Sequence, residues 1–128
     1  MDLKTLRALL EVAWCAETAS GYWSPLCPSL NQCAKTALIV QDHFGGDMLR
    51  CLMTNSDSHY WNRLPNGTEI DLTLNQFDFI AAKPLKNDYV VRPRKYVLSF
   101  PNTVIGYELL KARLNTLIKI ISPTVPAT

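Results

Sequence analysis

Cys33, His59 and Asp71 are the residues of this sequence best fitted to do chemistry. A thiol attacks a carbonyl as thiolate, which requires a base to take its proton. That base works best when a third group fixes its tautomer and orientation. Cysteine, histidine and aspartate fill these three roles, and here they fall in that order on three different predicted elements. Each has an ordinary structural reading when taken alone: a buried thiol, a satisfied strand histidine, a carboxylate near a turn. Their order and placement together point to a nucleophile, a general base and its orienting carboxylate.

The elements that must bring them together are legible from pattern. Ser29-Leu30-Asn31-Gln32 has the form of a capping box, in which the serine oxygen and the glutamine side chain satisfy each other's backbone N–H groups. A helix follows through Cys33, Ala34, Ala37, Leu38, Ile39, Val40 and Phe44, apolar on most sides and therefore central. Gly45-Gly46 ends it, and His43 sits where the helix dipole favours a cation. Cys33 then lies near a helix N-terminus, where free N–H groups favour a thiolate. Met48 to Thr54, His59 to Leu64 and Thr68 to Leu72 are predicted strands of an antiparallel meander, with a turn at 55–58 and a hairpin at Pro65-Asn66-Gly67. His59 and Asp71 flank that hairpin almost symmetrically, so they are expected to be close to cross-strand neighbours.

The flanks are simpler. Asp2 caps a helix over 2–16, with Leu3, Leu6, Leu9, Leu10, Ala13 and Trp14 on one face. Residues 17–28 form a loop whose Tyr22 and Trp23 either cover the core edge or line a cleft. Thr73 to Phe77 can start a short helical turn. Residues 83–102, broken by Pro84, Pro93 and Pro101, read as a solvated loop with short strand character, or as a basic, substrate-facing arm carrying Arg92, Arg94 and Lys95. Thr103 caps a last helix with Ile105, Leu109, Leu110, Leu114 and Leu117 as its buried stripe. Ser122-Pro123-Thr124-Val125-Pro126 is expected to fray.

Acyl transfer also needs donors to the developing oxyanion. The Cys33 N–H is one. The second is left open among the Gln32 side chain, the Trp23 indole and a loop N–H. Trp61 shares the His59 face and can shelter a thiolate–imidazolium pair, whereas Asn62 falls on the opposite face with Tyr60.

Two resemblances attach to these residues. Gln32-Cys33 before an apolar helix, His59-Tyr60-Trp61-Asn62 and Ile70-Asp71-Leu72-Thr73 together resemble the catalytic core of transglutaminase-like and papain-like cysteine enzymes. That resemblance implies Cys33 as nucleophile, His59 as general base and Asp71 as its orienter. Asn31 stands where such a core usually carries glycine, and the His-to-Asp spacing is shorter. The second resemblance covers most of the chain. Trp23-Ser24-Pro25, Pro28, Gln32-Cys33-Ala34, Thr36-Ala37-Leu38, Val40-Gln41-Asp42, Phe44-Gly45-Gly46-Asp47, His59 through Leu64, Gly67 and Asp71-Leu72-Thr73 resemble the YunG-type family of small uncharacterised bacterial proteins. It implies a fold and a shared site, not a substrate. Cys27 and Leu30-Asn31 depart from its pattern.

Composition bounds the rest. Apolar residues make up 48% and charged residues 19% of the 128, which suits a buried core in one domain over 1–128. Thirteen Lys and Arg against eleven Asp and Glu give a net charge of +2, too small to argue for nucleic acid or a membrane surface. No apolar run has membrane-spanning length and the N-terminus lacks a signal-peptide core, so a cytoplasmic location is expected. Cys15, Cys27, Cys33 and Cys51 are then expected as free thiols, with Cys15 and Cys51 in the core. A zinc site from Cys27, Cys33 and His59 is disfavoured, because the cysteines lie wider apart than the usual knuckle, so neither metal nor cofactor is expected.

The expected fold is therefore α+β. A reduced papain/transglutaminase-like core packs its Cys-bearing helix on an antiparallel meander, between N- and C-terminal helices. The expected activity is amide hydrolysis, deamidation or transfer through a thioester, on a peptide or protein substrate. The competing expectation is an inert peptide- or protein-binding module on the same fold.

Overall fold

A computed structural model describes residues 1–121; the terminal Ser122-to-Pro126 segment expected to fray lies outside the described residues. The chain is α+β. Helices α1 (Leu3–Ala13), α2 (Cys33–Phe44), α3 (Arg94–Val97) and α4 (Pro101–Ile121) accompany strands β1 (Asp47–Leu52), β2 (Ser58–Arg63), β3 (Glu69–Ile70) and β4 (Val90–Arg92). The strands form one antiparallel sheet in the order β3-β2-β1-β4. No described helix is long and apolar enough to cross a membrane.

α2 is the centre, as its all-round apolarity requires. Ala34 through Val40 are buried without interruption. One side of α2 meets Met48 and Tyr60 of the sheet and another meets α4, on which α1 packs, so that Leu6, Leu10, Leu110 and Leu114 join the same core. Where α2 must bury polarity, it is satisfied: Trp14 Nε1 donates to Thr36 Oγ1 at 2.9 Å, and Asn62 Nδ2 donates to the Ala37 carbonyl at 3.0 Å. The other sheet face holds a smaller cluster of Leu49, Cys51 and Trp61, roofed by the long connection from β3 to β4.

Several sequence expectations are corrected. The capping box does not form. Ser29 Oγ instead donates to Asn75 Oδ1 at 2.7 Å, Asn31 takes a left-handed backbone (φ 59°), and α2 starts with Gln32 as its cap residue. A distant partner claims the hydroxyl, and Cys33 is the first helical residue, still within the first turn as expected. The meander gains a fourth strand, β4, on the far side of β1. Arg94 is no substrate-facing arm. It pairs with Asp42 at 2.7 Å and donates to Tyr107 Oη at 2.8 Å, pinning α3 to α2 and α4. On α4, Ile105 and Leu109 face outward, and Gly106, Tyr107, Leu110 and Leu114 form the buried stripe.

Gly45 and Gly46 both adopt positive φ at the end of α2, as expected. Gly46 carries a second constraint: a Cβ there would lie 2.2 Å from the Arg63 carbonyl oxygen, where the helix exit crosses the end of β2. Gly67, at φ 88° in the hairpin, faces open space. Gly46→Ala should therefore cost about 3 kcal/mol or more, from backbone strain and a backbone clash together. Gly67→Ala should cost only the strain, roughly 1–2 kcal/mol. Urea unfolding midpoints of the two variants check the order.

Candidate functional site

Cys33 opens α2, so its own N–H is among those without an intrahelical acceptor, at the positive end of the helix. Its sulfur rests against the edge of β2, 4.0 Å from the Ser58 carbonyl oxygen. In a strand, that carbonyl and the Tyr60 N–H project from the same edge. β3 pairs with β2 only at Asn62 and Arg63, which leaves this edge open to the thiol.

His59 is buried on β2 with no exposed surface. Phe77 meets the imidazole edge-on with centroids 4.8 Å apart, and Trp61 stacks along it at 5.8 Å. Nε2 lies 2.6 Å from Asp71 Oδ2. The pairing expected from hairpin symmetry is corrected in detail. The register Asn62↔Ile70 sets Asp71 opposite Trp61, beyond the paired end of β3 and diagonal to His59. The faces still agree, and the carboxylate reaches the ring. Since Nε2 donates to the carboxylate, Nδ1 is the nitrogen free to take a proton; it has no hydrogen-bond partner among the described residues.

One feature of the Asp71 environment gave no local sequence signal. Lys86, from the roof of the sheet, places Nζ 2.7 Å from Asp71 Oδ2 and 4.9 Å above the Trp61 ring. Thr73 donates to Asp71 Oδ1 from its backbone N–H at 3.3 Å. The same segment then grips the entry to α2: Gln76 Oε1 accepts from the Asn31 N–H at 3.2 Å, while Asn75 accepts from Ser29. The loop that carries the carboxylate is thus tied to the loop that carries the thiol.

The electrostatics follow from this packing. Burial opposes the Cys33 thiolate, yet its pKa falls below 9.0, because the neighbouring His59 and the Tyr60 N–H outweigh burial. Burial likewise opposes the imidazolium, but the Asp71 hydrogen bond, with Cys33, pushes His59 up to about 9. Asp71 is buried as well, and His59 and Lys86 hold it below 3.8. All three shifts favour a thiolate–imidazolium–carboxylate chain, the charge state in which a thiol is nucleophilic near neutral pH.

A cleft of about 530 Å³ opens on Cys33, lined also by Tyr60, Tyr96, Phe100, Arg50 and Ser20. The candidate oxyanion donors are placed otherwise than expected. Gln32 Nε2 donates to the Cys15 carbonyl at 2.9 Å, and its Oε1 accepts from Thr18 Oγ1 at 2.7 Å. Trp23 Nε1 donates to the Pro28 carbonyl, and Trp61 Nε1 to Glu69 Oε1. Each is bonded inside the fold, which leaves the Cys33 N–H and a loop N–H as candidate donors. Tyr22 is exposed and anchors nothing. The four cysteines are free thiols, and Cys27 Sγ lies 3.6 Å from Ser29 Oγ.

Comparison with known proteins gives a consistent family. A family model described as YunG protein matches residues 2–119. The chain is 36% identical over 75 residues to a protein of Bacillus subtilis (strain 168) named "Uncharacterized protein YunG". That alignment covers 59% of this chain and 63% of the relative, so the chain spans less than two thirds of it. No solved structure matches. These relatives give no support to the transglutaminase-like part of the sequence resemblance.

The His59–Asp71 contact sets two expectations. By NMR titration, the His59 imidazole should ionise near pH 9, and Asp71→Asn should lower that value by roughly 1–3 units. The stabilisation Asp71 gives as a carboxylate is present above its unfolded value of 3.8 and is lost as pH falls through its lowered folded value. The advantage of the wild type over Asp71→Asn in urea midpoint should therefore shrink on acidification below that point.

Proposed function

The chain belongs to the YunG family, and we propose that it is a cysteine-dependent enzyme of acyl chemistry, acting on an amide of a peptide or protein. The observation that carries this reading is the buried His59–Asp71 pair at 2.6 Å, with the second ring nitrogen unpartnered among the described residues and the Cys33 thiol at the open edge of the same strand. On this reading the α2–sheet unit is a reduced papain- or transglutaminase-like core, and the protein works in the cytoplasm, where its thiols stay reduced.

The steps assign one role to each residue. Cys33 passes its proton to His59 Nδ1, and the thiolate attacks the amide carbonyl carbon. The Cys33 N–H, at the start of α2, steadies the oxyanion. His59 returns the proton to the departing nitrogen as the C–N bond breaks, leaving a thioester on Cys33. Water or an amine, deprotonated by the same imidazole, then attacks the thioester and releases the thiol. Asp71 holds the ring in the tautomer with Nε2–H, and so keeps Nδ1 aimed at the sulfur throughout.

One observation favours the second reading, an inert peptide-binding module: the side-chain N–H groups of Gln32, Trp23 and Trp61 are all bound within the protein. A panel of peptides ending in a thiol-directed electrophile separates the two. The enzyme reading expects a Cys33 adduct by intact mass, absent in Cys33→Ala and slowed about 10²–10⁴-fold in His59→Ala. Peptides retained by the folded protein with Cys33 unmodified would put the binding module in its place.

A further inference from the structure

We propose that Lys35, acting with Ser20, forms an anion-reading subsite of the Cys33 cleft, so that the amide substrate carries a carboxylate close to the bond attacked. The inference rests on the reading of Cys33 as a reactive thiol. It gives that site a substrate class: acidic peptides.

Lys35 is 2% exposed, among the largest fully buried side chains of the protein. A buried ammonium is costly unless charge and hydrogen bonds compensate it. Among the described residues Lys35 has no carboxylate partner; its Nζ donates to the hydroxyl of Ser20. An ammonium has three N–H donors, so the recorded bond leaves capacity for an anionic acceptor. Glu17 lines the small neighbouring cavity of about 210 Å³ but forms no ion pair with Lys35.

The surrounding fold makes room for this charge. Gly106 of α4 lies against the lysine stem, and a Cβ there would stand 2.7 Å from Lys35 Cε. Ser20, which holds the ammonium, is itself exposed and lines both that small cavity and the cleft on Cys33. Its N–H donates to the Asn31 carbonyl at 2.8 Å, which fixes it beside the entry to α2. Lys35 itself lines the small cavity and not the cleft, so its charge reaches the cleft through the Ser20 hydroxyl, which can turn its proton toward an incoming anion. Across the cleft Arg50, with Nε on Ser58 Oγ at 3.0 Å, adds positive charge. Asp57, the acidic lining residue, is engaged with Asn55.

Two reagents that deliver nearly the same group test the inference. Iodoacetate and iodoacetamide each form a C–S bond on the Cys33 thiolate and release iodide, but only iodoacetate carries a carboxylate. The ratio of their rates at Cys33, followed by mass spectrometry, cancels changes in thiolate reactivity. In the wild type the ratio should exceed that of free cysteine by roughly tenfold or more, the scale of electrostatic focusing in a cleft. Lys35→Met, which keeps the stem against Gly106 and removes the charge, should bring most of that excess down. Ser20→Ala, an exposed change that leaves the lysine in place, should lower it as well. A preference that survives both variants belongs to the His59 imidazolium and overturns the proposal, as does a wild-type ratio equal to that of free cysteine. Cys33 that resists both reagents in the folded protein overturns the reading of the thiol itself, a different result.

Discussion

A fully buried imidazole is the constraint from which the rest of this structure follows. His59 has two ring nitrogens and no exposed surface, and one of them, Nε2, is satisfied inside the protein, by Asp71 at 2.6 Å. The other, Nδ1, has no hydrogen-bond partner among the described residues, and the Cys33 thiol lies at the edge of the same strand. Asp71 cannot be moved without stranding the second nitrogen as well, a loss of about 1–3 kcal/mol. The loop that carries Asp71 and the start of α2 converge on this one strand.

The fold provides that convergence with separate devices on the two faces and the edge of β2. Helix α2 reaches the edge with its first residue, because Asn31 turns the chain in a left-handed conformation immediately before it. The β3–β4 connection roofs the other face, bringing Phe77, Lys86 and Asp71 around the ring. Hydrogen bonds from Asn75 and Gln76 to Ser29 and Asn31 lock connection and helix entry together. Cys51, opposite His59 on β1, shows the contrast: burial pushes its thiol up, and it has no imidazole to offset that.

The parts legible in the sequence are those set by local chemistry. The α2 helix, its Gly45-Gly46 exit and the hairpin at Pro65-Asn66-Gly67 announce themselves through periodicity and glycine placement. The trio of Cys33, His59 and Asp71 was visible as residue types on suitable elements. What was not visible depends on distant partners. Ser29 looked like a helix cap until Asn75 took its hydroxyl. Gln32 reads as a capping-box partner or an oxyanion donor, yet Cys15 and Thr18 consume both ends of its amide. β4 is three residues long between proline-bearing segments, too short to show alternation. Lys86 lies fifteen residues beyond Asp71, and only the roof's path over the sheet brings them together. On α4 the apolar residues outnumber the buried ones, so choosing the inward stripe needed the neighbouring helices.

The proposed chemistry rests on one physical statement: the neighbouring His59 draws the Cys33 pKa below its ordinary value. Following thiolate ionisation by ultraviolet absorbance, with Cys33→Ser subtracted from wild type, isolates that thiol from the other three. The expected result is a transition below pH 9.0 that moves upward in His59→Ala. A Cys33 that ionises at or above 9.0, or one indifferent to the loss of His59, would contradict it.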